Sequence, residues 1–225
     1  MDNTDKVTTS AAEAISAVKA GSVLVLGDAV DGTHPDALLV ALAEAGPREL
    51  AVVCARPDRA GVGLGLLLGG GGVARLVHST EEAGQELPQL GSASAQFVPL
   101  RLLEERLQAG GAGAATFYAQ VGTYAEPAAD ESHAVYFGGD EYGPVPALTG
   151  DLALLRAERG DRRGNLAFAD EGREFAVLAA KACASTLAEV GQLVDRLEPH
   201  ETHLSGTHVT CLLAPRPTHQ HHHGG

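Results

Sequence analysis

Four groups of residues in this chain have the types and spacing to do chemistry. The first lies in Gly27-Asp28-Ala29-Val30-Asp31-Gly32-Thr33-His34-Pro35. Asp28, Asp31 and His34 in one loop can trade protons in general acid–base catalysis, or cap the helix that Pro35 opens. The second is Cys54, at the end of an apolar run, where α/β enzymes place their ligand crevices. Its thiol can serve as a nucleophile or fill space as a small buried hydrophobe. The third is Ala109-Gly110-Gly111-Ala112-Gly113, followed by Phe117. A glycine ends a helix well, and further glycines let backbone approach a ligand closely. The fourth is the glycine-rich stretch Gly61 to Gly72. It lacks the Lys-Ser/Thr of a Walker loop and the position of a dinucleotide fingerprint, and reads as tight helix packing followed by a turn.

Positioning these groups falls to a rhythm of helices and strands. Ala11 to Lys19 has helical spacing, and Ser22 to Leu26 is a short Val/Leu run bounded by glycine, as in a buried parallel strand. Asp36 to Glu44 follows Pro35 as a helix, and Leu50 to Ala55 is the next strand. Val73 to Val77 and Ala95 to Leu100 predict further strands, and Leu102 to Gln108 an amphipathic helix. Asp151 to Arg156, a turn at Gly160 to Gly164, and Asn165 to Phe168 predict strand–turn–strand. Phe175 to Ala184 predicts a helix; Thr186 to Val194 and Val209 to Ala214 predict late strands. The β-α-β order specifies a parallel sheet. Pro127 to Tyr142 reads as an excursion from it. Residues 1–10 form a loose lead, 11–214 one domain, and 215–225 a tail.

Composition narrows the classes of function. Hydrophobic residues at 44% and charged residues at 20% fit an ordinary globular domain. A net charge of −13 disfavours a phosphate backbone and an anionic membrane surface. It leaves room for an anionic ligand held by backbone amides. Three scattered cysteines are no disulfide framework. With no apolar leader in Met1 to Thr9 and no spanning run, the cytoplasm is the expected compartment. His219, His221, His222 and His223 sit in the tail with nothing to orient them, so no metal site is expected.

Three stretches together resemble the A-type chain of family I coenzyme A-transferases. They are Leu50-Ala51-Val52-Val53 with Val62-Gly63-Leu64-Gly65-Leu66-Leu67-Leu68; Glu105 through Gly113 with Phe117-Tyr118; and Thr149-Gly150-Asp151 through Leu155 with Gly164-Asn165-Leu166. The likeness spans about residues 12 to 214. It implies an open α/β fold, mainly parallel, with helices on both faces. It also implies a B-type partner subunit in a hetero-oligomer, with coenzyme A arriving as part of the substrate. In that family the thioester is attacked by a glutamate of the B-type subunit, so no nucleophile is expected on this chain. The implied substrate-facing residues are Gly27, Ala29, Leu100, Gly110, Gly111, Ala112, Gly113 and Phe117. Glu105 and Arg106 match the family too, and adjacent helix residues point apart, so each is expected to have its own structural partner.

Departures from the pattern point to altered chemistry. Asp28-Ala29 replace a glycine and a phenylalanine of the family's first loop, and Cys54-Ala55-Arg56 replace Ser-Asn-Asn. Leu100 stands where counting back from Ala109 places the transferases' oxyanion-hole glutamine, and leucine has no hydrogen to donate. Decarboxylation of a glutaconyl-CoA-type ester beside an apolar wall fits these changes. The alternatives are true CoA transfer and a non-catalytic subunit.

Overall fold

The computed structural model describes residues 5–27, 34–57, 62–79, 93–122, 135–169 and 172–215. Asp28, Ala29, Asp31 and the tail histidines lie outside the described residues. The first half contains β1 (Val7–Thr8), α1 (Ala11–Ala14), β2 (Val23–Leu26), α2 (Asp36–Ala45), β3 (Leu50–Val53), α3 (Gly63–Gly69), β4 (Val73–His78), β5 (Ser94–Phe97) and α4 (Leu100–Gly111). Then come β6 (Thr116–Gln120), β7 (Val135–Phe137), β8 (Asp140–Pro146), β9 (Gly150–Asp161), β10 (Leu166–Ala167), α5 (Arg173–Ala182), β11 (Cys183–Val194) and β12 (Cys211–Leu213).

Among the described residues one large sheet runs β1-β12-β11-β9-β2-β3-β4-β5, with β10 paired to β9. Every pairing along that path is parallel, and β10 alone runs antiparallel. Strand alternation builds two cores. Leu24, Leu26, Val52 and Leu154 face α2 and α3, where Leu38, Leu39, Leu42, Leu64 and Leu67 pack. Val25, Val53, Ala153 and Leu155 face α4 and α5, meeting Leu103, Leu107, Phe175 and Ala179. Both faces of the central strands are buried, which is why Leu152 to Leu155 reads as an unbroken apolar run. β3, β4 and β5 fan out to one side of β2, while β9, β11 and β12 lie on the other. The order therefore reverses beside β2, and the carboxyl end of such a switch is where open α/β sheets bind ligands.

Three readings of the sequence change, and one is met. Val7–Thr8, inside the expected loose lead, pair with Leu212–Leu213. Gly63–Gly69 form a helix, and a Cβ on Gly63 would lie 2.6 Å from Asp36 Oδ1 and 2.9 Å from Leu39. That tight α2–α3 packing is the reading given to these glycines. The strand expected over 95–100 stops at Phe97, because Pro99 has no N–H to extend a ladder and presets α4. Leu100 is thus the first helical residue rather than the last of a strand. The excursion is broader than 127–142. β6, β8 and β7 make a separate antiparallel sheet, with Gly138 (φ 62°) and Gly139 (φ 97°) forming its tight turn.

Candidate active site

At the carboxyl edge of the sheet, successive strand ends lie side by side. Cys54 N donates to Val77 O at 3.0 Å, Ser79 N to Ala55 O at 3.1 Å, and Val98 N to His78 O at 2.8 Å. This row brings Cys54, His78, Ser79 and the Pro99–Leu100 corner onto one rim. Gly27 joins it from β2, its N–H donating to Leu154 O at 2.8 Å. A Cβ on Gly27 would sit 2.6 Å from the Leu155 side chain, so glycine is required there by packing alone.

His34 is 1% exposed, and neither ring nitrogen has a hydrogen-bond partner among the described residues. A buried unsatisfied polar group costs about 1–3 kcal/mol. Asp36 Oδ1, in the same turn, is likewise buried and unpartnered. The turn itself closes through Asp36 N donating to His34 O at 2.8 Å. Glu189 fixes the start of α2 by accepting from Ala37 N at 2.9 Å, and Arg156 is ion-paired with Glu189.

Leu100 borders a crevice of about 650 Å³, within the usual range for small-ligand pockets. Pro99, Arg101, Glu105, Tyr118, Ala119, Gln120 and Tyr142 complete its walls. Phe117, the aromatic expected to face substrate, packs instead against the core beneath α4. Its neighbour Tyr118 points into the crevice, since successive strand residues face opposite ways. Tyr118, Gln120 and Tyr142 were missed, although the alternation of β6 carried the signal for the first two. So were His78 and Ser79, two polar residues that directly follow the apolar run of β4.

The glycines of α4 are explained by the chain itself. A Cβ on Gly110 would collide with the Leu148 carbonyl, and one on Gly111 would lie 3.1 Å from Lys181 Cβ. Gly113 holds φ 77°, a conformation that favours glycine. Gly110 lies ten residues along α4 from Leu100, about 15 Å at 1.5 Å per residue. The two therefore occupy opposite ends of one helix. Arg106 Nε donates to Pro146 O at 3.0 Å, and Glu105 pairs with Arg101 at 3.6 Å, so each has a partner of its own. Asp151 and Asn165 also work structurally. Asp151 Oδ2 accepts from Val23 N at 2.7 Å, and Asn165 Nδ2 donates to the buried Asp161 at 2.8 Å.

None of the three cysteines is in a disulfide. Burial pushes the Cys183 thiol up to about 12, with a hydrogen bond from the Gly150 backbone opposing it, and burial also raises Cys211. Cys54 is fully buried.

Residues 8–211 match the coenzyme A transferase family model. The chain belongs to the coenzyme A transferase family. It is 31% identical to the A chain of a probable succinyl-CoA:3-ketoacid coenzyme A transferase of Bacillus subtilis, over 92% of this chain and 89% of that protein. It is 29% identical to the A chain of a 3-oxoadipate CoA-transferase of Pseudomonas putida, over 93% of this chain and 94% of that one. Among solved structures, the decarboxylase AibA/AibB superposes with a TM-score of 0.75 at 25% identity, covering 94% of this chain and 84% of that one. The family fold is the mainly parallel α/β sheet described above. Its transferases carry coenzyme A as substrate and intermediate rather than as a resident cofactor. No helix among the described residues is long and apolar enough to cross a membrane, and no cluster of metal-ligating side chains occurs among them.

Proposed function

We propose that this chain is the A-type half of a two-subunit enzyme that decarboxylates a small, glutaconyl-CoA-type thioester. The observation that carries the reading is Leu100 at the mouth of the crevice, where a transferase is expected to need an amide donor. A carboxylate against Leu100 and the rings of Tyr118 and Tyr142 loses hydration that a charge-neutral product does not need. The bond to the carboxyl carbon breaks, carbon dioxide leaves, and its electron pair flows into the conjugated thioester. A proton then closes the carbanion. His34, Asp28 and Cys54 are the candidate proton carriers on this chain, and the ring of His34, without a partner among the described residues, is the best supported. The family resemblance assigns Gly27, Ala29, Gly110, Gly111, Ala112 and Gly113 to the substrate's approach, and of these Gly27 stands on the rim described above. A B-type subunit supplies the rest of the site. We place the pair in the cytoplasm, in keeping with three cysteines outside any disulfide.

CoA transfer between carboxylic acids is the second reading. The names of the relatives favour it, and so does Gln120, an amide on the wall of the same crevice. Incubating the purified pair with a glutaconyl-CoA-type ester separates the two. Release of carbon dioxide without an acceptor acid supports decarboxylation, and Leu100→Gln is expected to lower it at least 10-fold. Exchange of CoA onto an added carboxylic acid, abolished in Gln120→Leu, with no carbon dioxide above background, sinks the first reading in favour of the second. Full activity of the partner alone would make this chain a structural subunit.

A further inference from the structure

The small sheet breaks the pattern of an antiparallel sheet with one wet face. Its inner face is ordinary, because Phe117 pairs with Val145 and both pack on the main core. The outer face should then be polar. Register shows otherwise. Tyr118 lies opposite Pro144, and Val135 opposite Tyr142. Phe137 shares that face, its ring edge-on to Tyr142 at 5.7 Å. Phe137 is 63% exposed and Tyr118 48%. Exposed Leu100 extends the patch along the crevice. Neither edge strand of this sheet, β6 or β7, carries a Lys or Pro of the kind that normally guards an open edge. A contiguous aromatic surface of this kind marks an interaction site.

We infer that this outer face docks the B-type subunit. The inference rests on the two-subunit reading above and names the surface that reading requires. Two observations choose this occupant. First, the patch is continuous with the Leu100 crevice through Tyr118 and Tyr142, so a polypeptide seated on it also reaches the open side of the candidate site. Second, a second copy of this chain is a poor occupant: each copy carries −13, and Asp140, opposite Phe137 on this face, is acidic. A partner lacking that excess of acid meets no such repulsion. Tyr and Phe are the residue types that dominate the energetics of such faces.

The test co-expresses the chain with the B-type subunit of the same genome and measures the dissociation constant of the purified pair. Phe137→Glu is expected to weaken the pair about 100-fold, the effect of losing a central anchor. Phe137→Leu is expected to restore it to within a few-fold. Leu66→Glu, at an exposed apolar site on α3, is the control and should leave it unchanged. Circular dichroism checks that each variant folds. Equal binding by Phe137→Glu and the parent chain overturns the inference, as does self-association of the chain that Phe137→Glu abolishes. The two claims fail separately. A pair that binds through this face yet neither releases carbon dioxide nor exchanges CoA removes the function and leaves the surface. An active pair indifferent to Phe137→Glu does the reverse, and a chain that never pairs removes both.

Discussion

A single side chain can look catalytic in the sequence for reasons that belong to packing, and the converse. Gly110 is the clearest case. In the sequence its glycine run reads as room for a ligand, yet the Leu148 carbonyl already fills the space a Cβ would need. Backbone cannot yield as a flexible side chain can. Gly110→Ala is therefore expected to destabilise the chain by about 1–3 kcal/mol, measured by denaturant titration. A neutral Gly110→Ala that instead weakened acyl-CoA binding would return the residue to the ligand. Cys183 carries a similar lesson, since burial withdraws its thiol from chemistry. With its ionisation pushed up to about 12 by burial, it holds almost no thiolate at neutral pH. Iodoacetamide at pH 8 should leave Cys183 unlabelled in the native chain and label it fully after denaturation, as read by peptide mass spectrometry.

Elements carry the next level of control. α4 joins the two halves of the problem: its first turn presents Leu100 to the crevice, and its last turn locks against Leu148 and Lys181. It also packs beside α5, which brings Glu104 near Glu174. Burial first, and then the Glu174 charge, raise the Glu104 carboxyl above its usual 4.5. A carboxyl with a raised folded value holds its proton more tightly when folded. The resulting penalty is absent below about 4.5 and grows as pH rises through the folded value. Glu104→Gln removes it, so the variant should be more stable than the parent at pH 7 by a few tenths of a kcal/mol. The difference should vanish at pH 4, as thermal melts at both pH values would show.

At the scale of the whole molecule, residues 6–8 are stitched to residues 206–213. β1 pairs with β12, and Lys6 Nζ donates to Gly206 O and Val209 O, both at 2.6 Å. Asp5 pairs with Arg162 at 2.7 Å. A lead that sequence alone left loose thus finishes the edge of the large sheet. Charge-assisted bonds of this kind contribute about 1.5–3 kcal/mol each, so Lys6→Ala should lower the melting temperature by several degrees. An unchanged melting curve would mean that β1 contributes nothing to the fold. The opposite side of the molecule is left unfinished, with an aromatic sheet and an open crevice turned outward.

The sequence by itself determined the strand–helix order, because Val/Leu runs bounded by glycine and apolar residues at helical spacing are local signals. It also determined the family, since the A-G-G-A-G and T-G-D blocks survive as short strings. Those strings turned out to be structural: Gly110 and Gly150 are close-approach sites, and Asp151 binds the Val23 amide. Sequence placed His34 and Leu100 near chemistry but could not say what stood beside them. Only the tertiary structure set Tyr118, Gln120 and Tyr142 around Leu100, turned Phe117 inward, and aligned His78 and Ser79 with Cys54. These neighbours come from strands far apart in the chain. Which residues meet across them depends on sheet order and register, and no local spacing encodes either.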